Sequence, residues 1–426
     1  MNLTPASAER AGRAERADLA DRVQGADRPD PASPDTPATG PGYRATVAGL
    51  AIGQVLSWAA LYYAFSSFVL PMQASLGWSK PTLMGTYTLG LAMWGAAAYA
   101  VGAAIDAGHG RWVMTGGSLL AGLGCLAWSQ VSAPWMLYAV WAVLGLAMAM
   151  TLYEPAFTVL TKRYPTRYRE GITALTLVGG FASTLSFPAV AWLLRQGLDW
   201  RQALQVIGGV LLGVAALHAW ALRGAALVAG PPQVDAQADA TLQQALRHRS
   251  FWLLTLCFTL HAFVQAALWA HVMPAFASKP VTEGETLLVL MTVGPAQVAG
   301  RLLYVWLGRR WSLRVVGALV LTGLPLSMAL FALGRSLPVL MVFALLFGIS
   351  NGLVTIVRGG LVPLYFGRSH VGRIGGLMSG IGLFSRAAAP LGASAVLLVL
   401  PGYQALLLVL SGMGFAAVLA FWQAKL

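Results

Sequence analysis

From about residue 45 to the C-terminus, long apolar runs alternate with short polar breaks. Each run is roughly 20 residues or more, enough for a helix to cross a bilayer, and none shows the ten-residue alternation of a membrane strand. The pattern predicts twelve spans, near residues 45–70, 81–105, 112–132, 136–161, 170–194, 202–222, 251–277, 286–308, 312–333, 338–365, 371–398 and 401–423. The expected class is an all-α membrane protein.

Composition agrees. The 426 residues are 57% hydrophobic and 10% charged, against about 25% charged in an ordinary soluble domain. The net charge is +13. The first 44 residues carry seven acids and six arginines, so the surplus lies beyond them. It sits in alternate loops: Lys162, Arg163, Arg167 and Arg169; then Arg309, Arg310 and Arg314; then Arg368 and Arg373. The intervening breaks at 129–135 and 400–404 carry no charge. Cytoplasmic loops collect Lys and Arg, so both termini are expected in the cytoplasm of a cell carrying the chain in its inner (plasma) membrane. The same bias explains the basic excess without nucleic acid as a partner. Residues 1–43, rich in Ala, Arg, Asp and Pro, read as a disordered tail with no signal-peptide core. Residues 223–250 read as a cytoplasmic linker dividing a six-span bundle at 44–222 from another at 251–426. Cys125 and Cys257 lie far apart in apolar runs, which indicates neither a disulfide nor a metal site.

The halves repeat. Gly180-Phe-Ala-Ser183 followed by Pro188 matches Gly382-Leu-Phe-Ser385 followed by Pro390. Phe68-Val-Leu-Pro71 matches His271-Val-Met-Pro274, and Pro134 matches Pro338, all at offsets of about 202 to 204. Duplicated bundles place a substrate site near the midplane, between the halves.

Ions inside the apolar runs mark candidate chemistry, because each costs several kcal/mol at membrane depth unless it meets a partner or water. Arg358 is one. With Asn351 and Thr355 it forms an i, i+4, i+7 stripe on one helix face. The stripe either lines a cavity or Arg358 serves a neighbour or the headgroups. Glu154, in Thr151-Leu-Tyr-Glu-Pro155, is the one carboxylate well inside a span, and the repeat sets it opposite Arg358. It reads either as a proton carrier or as a structural partner of Arg111 or of the basic loop 162–169. His261, Gln265 and Trp269 form an i, i+4, i+8 stripe, which the repeat matches to Trp58, Tyr62 and Ser66. Arg301 is a cavity residue or a headgroup anchor. Gly209/Gly213 and Gly376/Gly380 are small-xxx-small pairs suited to close helix contact. Nucleotide-binding, zinc and nucleophile-elbow motifs do not occur.

The second polar loop, Gly102-Ala-Ala-Ile-Asp106-Ala-Gly-His-Gly110-Arg111, resembles the loop signature of the major facilitator superfamily. It departs in having Ala107 after the acid and in placing Arg111 about one residue late. The resemblance covers about residues 44–424. It implies two pseudo-symmetric six-helix bundles working by alternating access, a monomer, and no cofactor. It implies that Gly102 allows close packing and that Asp106 and Arg111 hold a cytoplasmic gate. It also implies that spans 1, 4, 7 and 10 line the cavity, so Arg358, Asn351, Thr355, His261, Gln265, Trp58 and Tyr62 become substrate-binding candidates, with Glu154 for proton coupling. Gln54-Val-Leu-Ser57-Trp58 with Tyr62-Tyr63, Thr151 to Pro155 and Ala299-Gly300-Arg301 make the chain similar to bacterial carriers of the monocarboxylate-porter type. The expected function is secondary transport of a small organic anion. The alternatives are proton-driven drug efflux, against which Ser186-Phe-Pro188 in span 5 argues, and a sensor without a transport cycle.

Overall fold

The computed structural model describes residues 40–224, 239–307, 310–400 and 402–425. The tail 1–43 lies almost wholly outside these, as do residues 225–238 of the linker. Among the described residues, eleven apolar helical runs are long enough to cross a membrane. One of them, Pro81–Trp128, has 48 residues. A helix of that length would extend roughly 70 Å, more than twice the hydrocarbon core, so the run is two crossings. Gly108, at φ 96°, turns the chain between them, a backbone that a Cβ would oppose.

The twelve crossings are α1 (Tyr43–Leu76), α2 (Lys80–Ala104), α3 (Gly110–Trp128), α4 (Pro134–Arg163), α5 (Tyr168–Arg195) and α6 (Trp200–Ala221) in the first half. The second half holds α7 (Arg249–Ala277), α8 (Glu283–Leu307), α9 (Leu313–Leu333), α10 (Leu337–Phe366), α11 (Val371–Val399) and α12 (Tyr403–Gln423). Both ends of the described chain meet one face of the bundle. There Arg163 donates to the carbonyls of Pro41 and Arg223, and Tyr365 donates to that of Ala424. We call this the terminal face.

Each half has an aromatic core. Trp128 and Trp141 pack with Phe65 and Phe68 in the first, and Phe331, Phe343 and Phe347 pack together in the second. Lipid offers no hydrophobic drive between helices, so close packing of small residues must hold the halves. Along α2 and α11 it does. A Cβ on Gly102 would strike the carbonyl of Gly372, and one on Gly376 the carbonyl of Ala98. One on Gly380 would stand 2.7 Å from the carbonyl oxygen of Gly95. The pair Gly209/Gly213, expected to do the same, makes no such contact: nothing comes within 4 Å of a Cβ at either.

Two helices are interrupted where they border the space between the halves. Residues Trp58–Tyr63 of α1 make a π-helical turn, a form common at functional sites. In α4, Pro155 has no N–H for the carbonyl of Thr151, and Leu152 is extended (φ −77°, ψ −158°). The buried side chain of Gln54 repairs the break, donating to Thr151 O at 2.7 Å and to Leu152 O at 3.3 Å. The helix then restarts, with Glu154 in its first turn. Free N–H groups at a helix start favour a carboxylate there.

Candidate functional site

A cavity of about 1300 Å³ lies between the halves. Among the sequence-predicted residues Trp58, Tyr62, Gly102, Glu154, His261, Gln265, Asn351, Thr355 and Arg358 all border it. Asp106 and Arg111 lie outside it, nearer the terminal face.

Arg358 is eight residues from the end of α10, hence about 12 Å deep. Its guanidinium stands 3.7 Å from a carboxylate oxygen of Glu154 and donates to Ser379 Oγ at 2.5 Å. The Phe258 ring is 5.9 Å away. Glu154 therefore pairs with Arg358 across the halves, and neither Arg111 nor the 162–169 loop is its partner. The pairing is incomplete, because the second carboxylate oxygen of Glu154 is buried and without a hydrogen bond. The other predicted stripe joins the same surface. Gln265 Nε2 donates to Asn351 Oδ1 at 2.5 Å, while both ring nitrogens of the buried His261 lack a partner.

The structure adds lining residues that the sequence reading left out or left open. Arg301 is buried, donates to the carbonyl of Gly352 at 3.3 Å, and reaches across to α5, where a Cβ on Gly180 would collide with it. Arg386 of α11 also borders the cavity and, among the described residues, makes no hydrogen bond or ion pair. It stands next to Ser385, a residue of the repeat, in an apolar run; the desolvation argument applied to Arg358 would have found it. The described lining thus holds three arginines and one carboxylate, Glu154. Its first-half wall is aromatic. Trp58 lies 5.2 Å from Tyr62, 5.8 Å from Trp94 and 5.0 Å from Tyr153 between ring centroids, and Tyr153 stacks on Phe157.

Toward the terminal face the cavity is shut. The Asp106 carboxylate accepts from the backbone N–H groups of Gly372 (3.0 Å) and Arg373 (2.8 Å), at the start of α11. Lys162 bridges the same point, donating to Asp106 Oδ1 at 3.2 Å and to the carbonyl of Ser369 at 2.9 Å. The Asp106 side chain is only 3% exposed. Arg111 is not part of this contact: it donates to the carbonyl of Ala219 within its own half and rests over Trp112. The extra residue before Arg111 carries it past the point where α2 faces α11, and Lys162 takes the basic role. At the opposite end the lining residues Phe187 and Trp269 are 46% and 43% exposed.

Comparison with known proteins follows the same lines. The chain is 27% identical over 267 residues to rat (Rattus norvegicus) monocarboxylate transporter 13; the match covers 61% of this chain and 60% of that protein's length. The fold is similar to that of the human organic anion transporter MFSD10 (TM-score 0.68, 17% identity, 89% of this chain and 100% of that one). It is also similar to that of the fucose:proton symporter FucP in the outward conformation (TM-score 0.70, 12% identity, 89% and 98%). Residues 50–390 match the family model described as Major Facilitator Superfamily. Twelve crossings, a repeat centred on a closed-ended cavity and that match agree, and the chain belongs to the Major Facilitator Superfamily of membrane transporters.

Proposed function

We propose that this transporter carries a small organic anion, a carboxylate, and that the anion meets the arginines of the second half. The observation that carries the reading is the charge of the cavity: Arg301, Arg358 and Arg386 against Glu154 alone. Such a surplus in a low-dielectric space favours a negative guest and repels the cationic substrates of many drug exporters. The relation to a protein named as a monocarboxylate transporter supports it. Glu154 supplies the coupling. A proton on its carboxyl cancels the attraction to Arg358 and frees a planar fork that matches a carboxylate. Substrate and proton then travel together. The shut terminal face corresponds to the cytoplasmic side of the inner membrane, so the conformation is outward-facing. Purified Arg358→Lys and Arg358→Gln proteins, assayed for binding across a panel of carboxylates and cationic drugs, test the reading. Loss of a charge-assisted pair, about 1.5–3 kcal/mol, should weaken carboxylate binding by roughly 10- to 100-fold in Arg358→Gln, with partial recovery in Arg358→Lys. Wild-type binding by both variants would overturn it.

A further inference from the structure

The two walls of the cavity are chemically unlike. The arginines, His261 and the Gln265–Asn351 pair all come from the second half. The first half contributes most of the rings, among them Trp58, Tyr62, Tyr63, Trp94, Tyr153 and Phe157, while the second half adds Phe258 and Trp269. A short aliphatic acid satisfies only one of these walls. We propose that the substrate is an aryl carboxylate, with its acid group toward the arginines of α8, α10 and α11 and its ring system against the aromatic wall of α1, α2 and α4. The proposal rests on the anion reading above and narrows it.

Three observations support the narrowing. First, the rings form a continuous surface and not isolated core residues. Trp58 touches Tyr62, Tyr63, Trp94 and Tyr153 at centroid distances of 5.0 to 6.4 Å, and the π-helical turn Trp58–Tyr63 is the segment that brings three of them to the cavity. Offset and edge-on packing at such distances is what one further ring would join. Second, the wall has polar edges without protein partners. Trp58 Nε1 is buried and unpaired, and the hydroxyls of Tyr63 and Tyr153 make no hydrogen bond with the described residues. A core aromatic normally finds a partner for such a group, whereas here the donors are left for a ring substituent or a ring heteroatom. Third, the space is large. At about 1300 Å³ it exceeds the roughly 300–1,000 Å³ of pockets that enclose drug-sized ligands. An aromatic wall could also receive a cation, but three guanidiniums across the same cavity oppose one.

The test is equilibrium binding to the purified full chain, read by tryptophan fluorescence and by calorimetry. The probes are benzoate, 4-hydroxybenzoate, 2-naphthoate and indole-3-acetate, with propionate and lactate as aliphatic acids and 2-naphthamide as the neutral aryl control. At least one aryl acid should bind tenfold or more tightly than propionate and lactate. Trp58→Leu should remove most of that preference and Trp58→Phe, which keeps a ring in place, should retain it; loss of the preference in Trp58→Phe, or its full retention in folded Trp58→Leu, would overturn the aromatic-wall contact. Equal binding of aliphatic and aryl acids would overturn the aryl proposal while leaving the anion reading intact. Binding of 2-naphthamide as tight as that of 2-naphthoate would overturn the anion reading. Failure of all four aryl acids to bind would overturn the proposal outright.

Discussion

An arginine in a membrane helix announces itself, because leaving it unpartnered there costs about 2.5–3.5 kcal/mol or more. That rule made Arg358 and Glu154 legible, and the repeat even set them opposite one another; they stand 3.7 Å apart. Arg386 obeys the same rule but was not singled out from the sequence. Trp94 was not. A ring that lines a cavity and a ring that fills a core have the same sequence neighbours, and only packing tells them apart. The role of Glu154 yields a prediction at this scale. On the coupling proposed for Glu154, transport by the wild type should rise as pH falls. In Glu154→Gln the charge is permanently absent, so binding should persist while the pH dependence of uptake flattens and concentrative uptake is lost. Uptake in proteoliposomes with and without an imposed proton gradient measures this; an unchanged response to the gradient would assign coupling elsewhere.

At the scale of the element, the hydrophobic pattern reads as one continuous span over 136–161, and the break of α4 before Pro155, which has no N–H for the Thr151 carbonyl, did not show. What repairs the break does not show either, because Gln54 lies about a hundred residues away and only the packing of α1 on α4 brings it there. The Gln54→Leu variant should leave the Thr151 carbonyl without a donor and should destabilise the protein by about 1–3 kcal/mol. Thermal unfolding in detergent should show the loss, with Gln54→Glu no better, since a carboxylate cannot donate. The turn between α2 and α3 was legible as a polar gap in the hydrophobic pattern. Its geometry depends on Gly108 at φ 96°, and Gly108→Val should reduce the yield of folded protein recovered from membranes.

For the whole molecule, the repeat conveyed two bundles and the loop charges give an expected orientation, while the residues that join the bundles were half legible. Asp106 was expected there; Lys162 was read only as a topological charge, and Arg111 was misplaced by one residue of spacing. Asp106→Asn removes the charge that faces the start of α11 and Lys162. Labelling of a cysteine at the lining position Val362 from the terminal face should rise by roughly tenfold, a shift of about 1.4 kcal/mol, in a background lacking the buried Cys125 and Cys257. A cysteine at Ala240 should resist an impermeant reagent applied outside intact cells, and ready labelling would reverse the orientation. Behind these polar contacts runs the seam of α2 against α11, in which carbonyls meet glycine backbones directly. Dispersion at such a seam decays within an ångström; a gap of half to one ångström forfeits about a quarter to a half of each contact. Where glycine meets carbonyl, at Gly102 against Gly372 and at Gly376 against Ala98, there is no side chain to stretch, so partial parting there gains nothing and loses nearly everything. The seam is therefore brittle, and it parts in a single step. A carrier built this way spends little time ajar, and solute slippage through a half-separated seam is correspondingly rare.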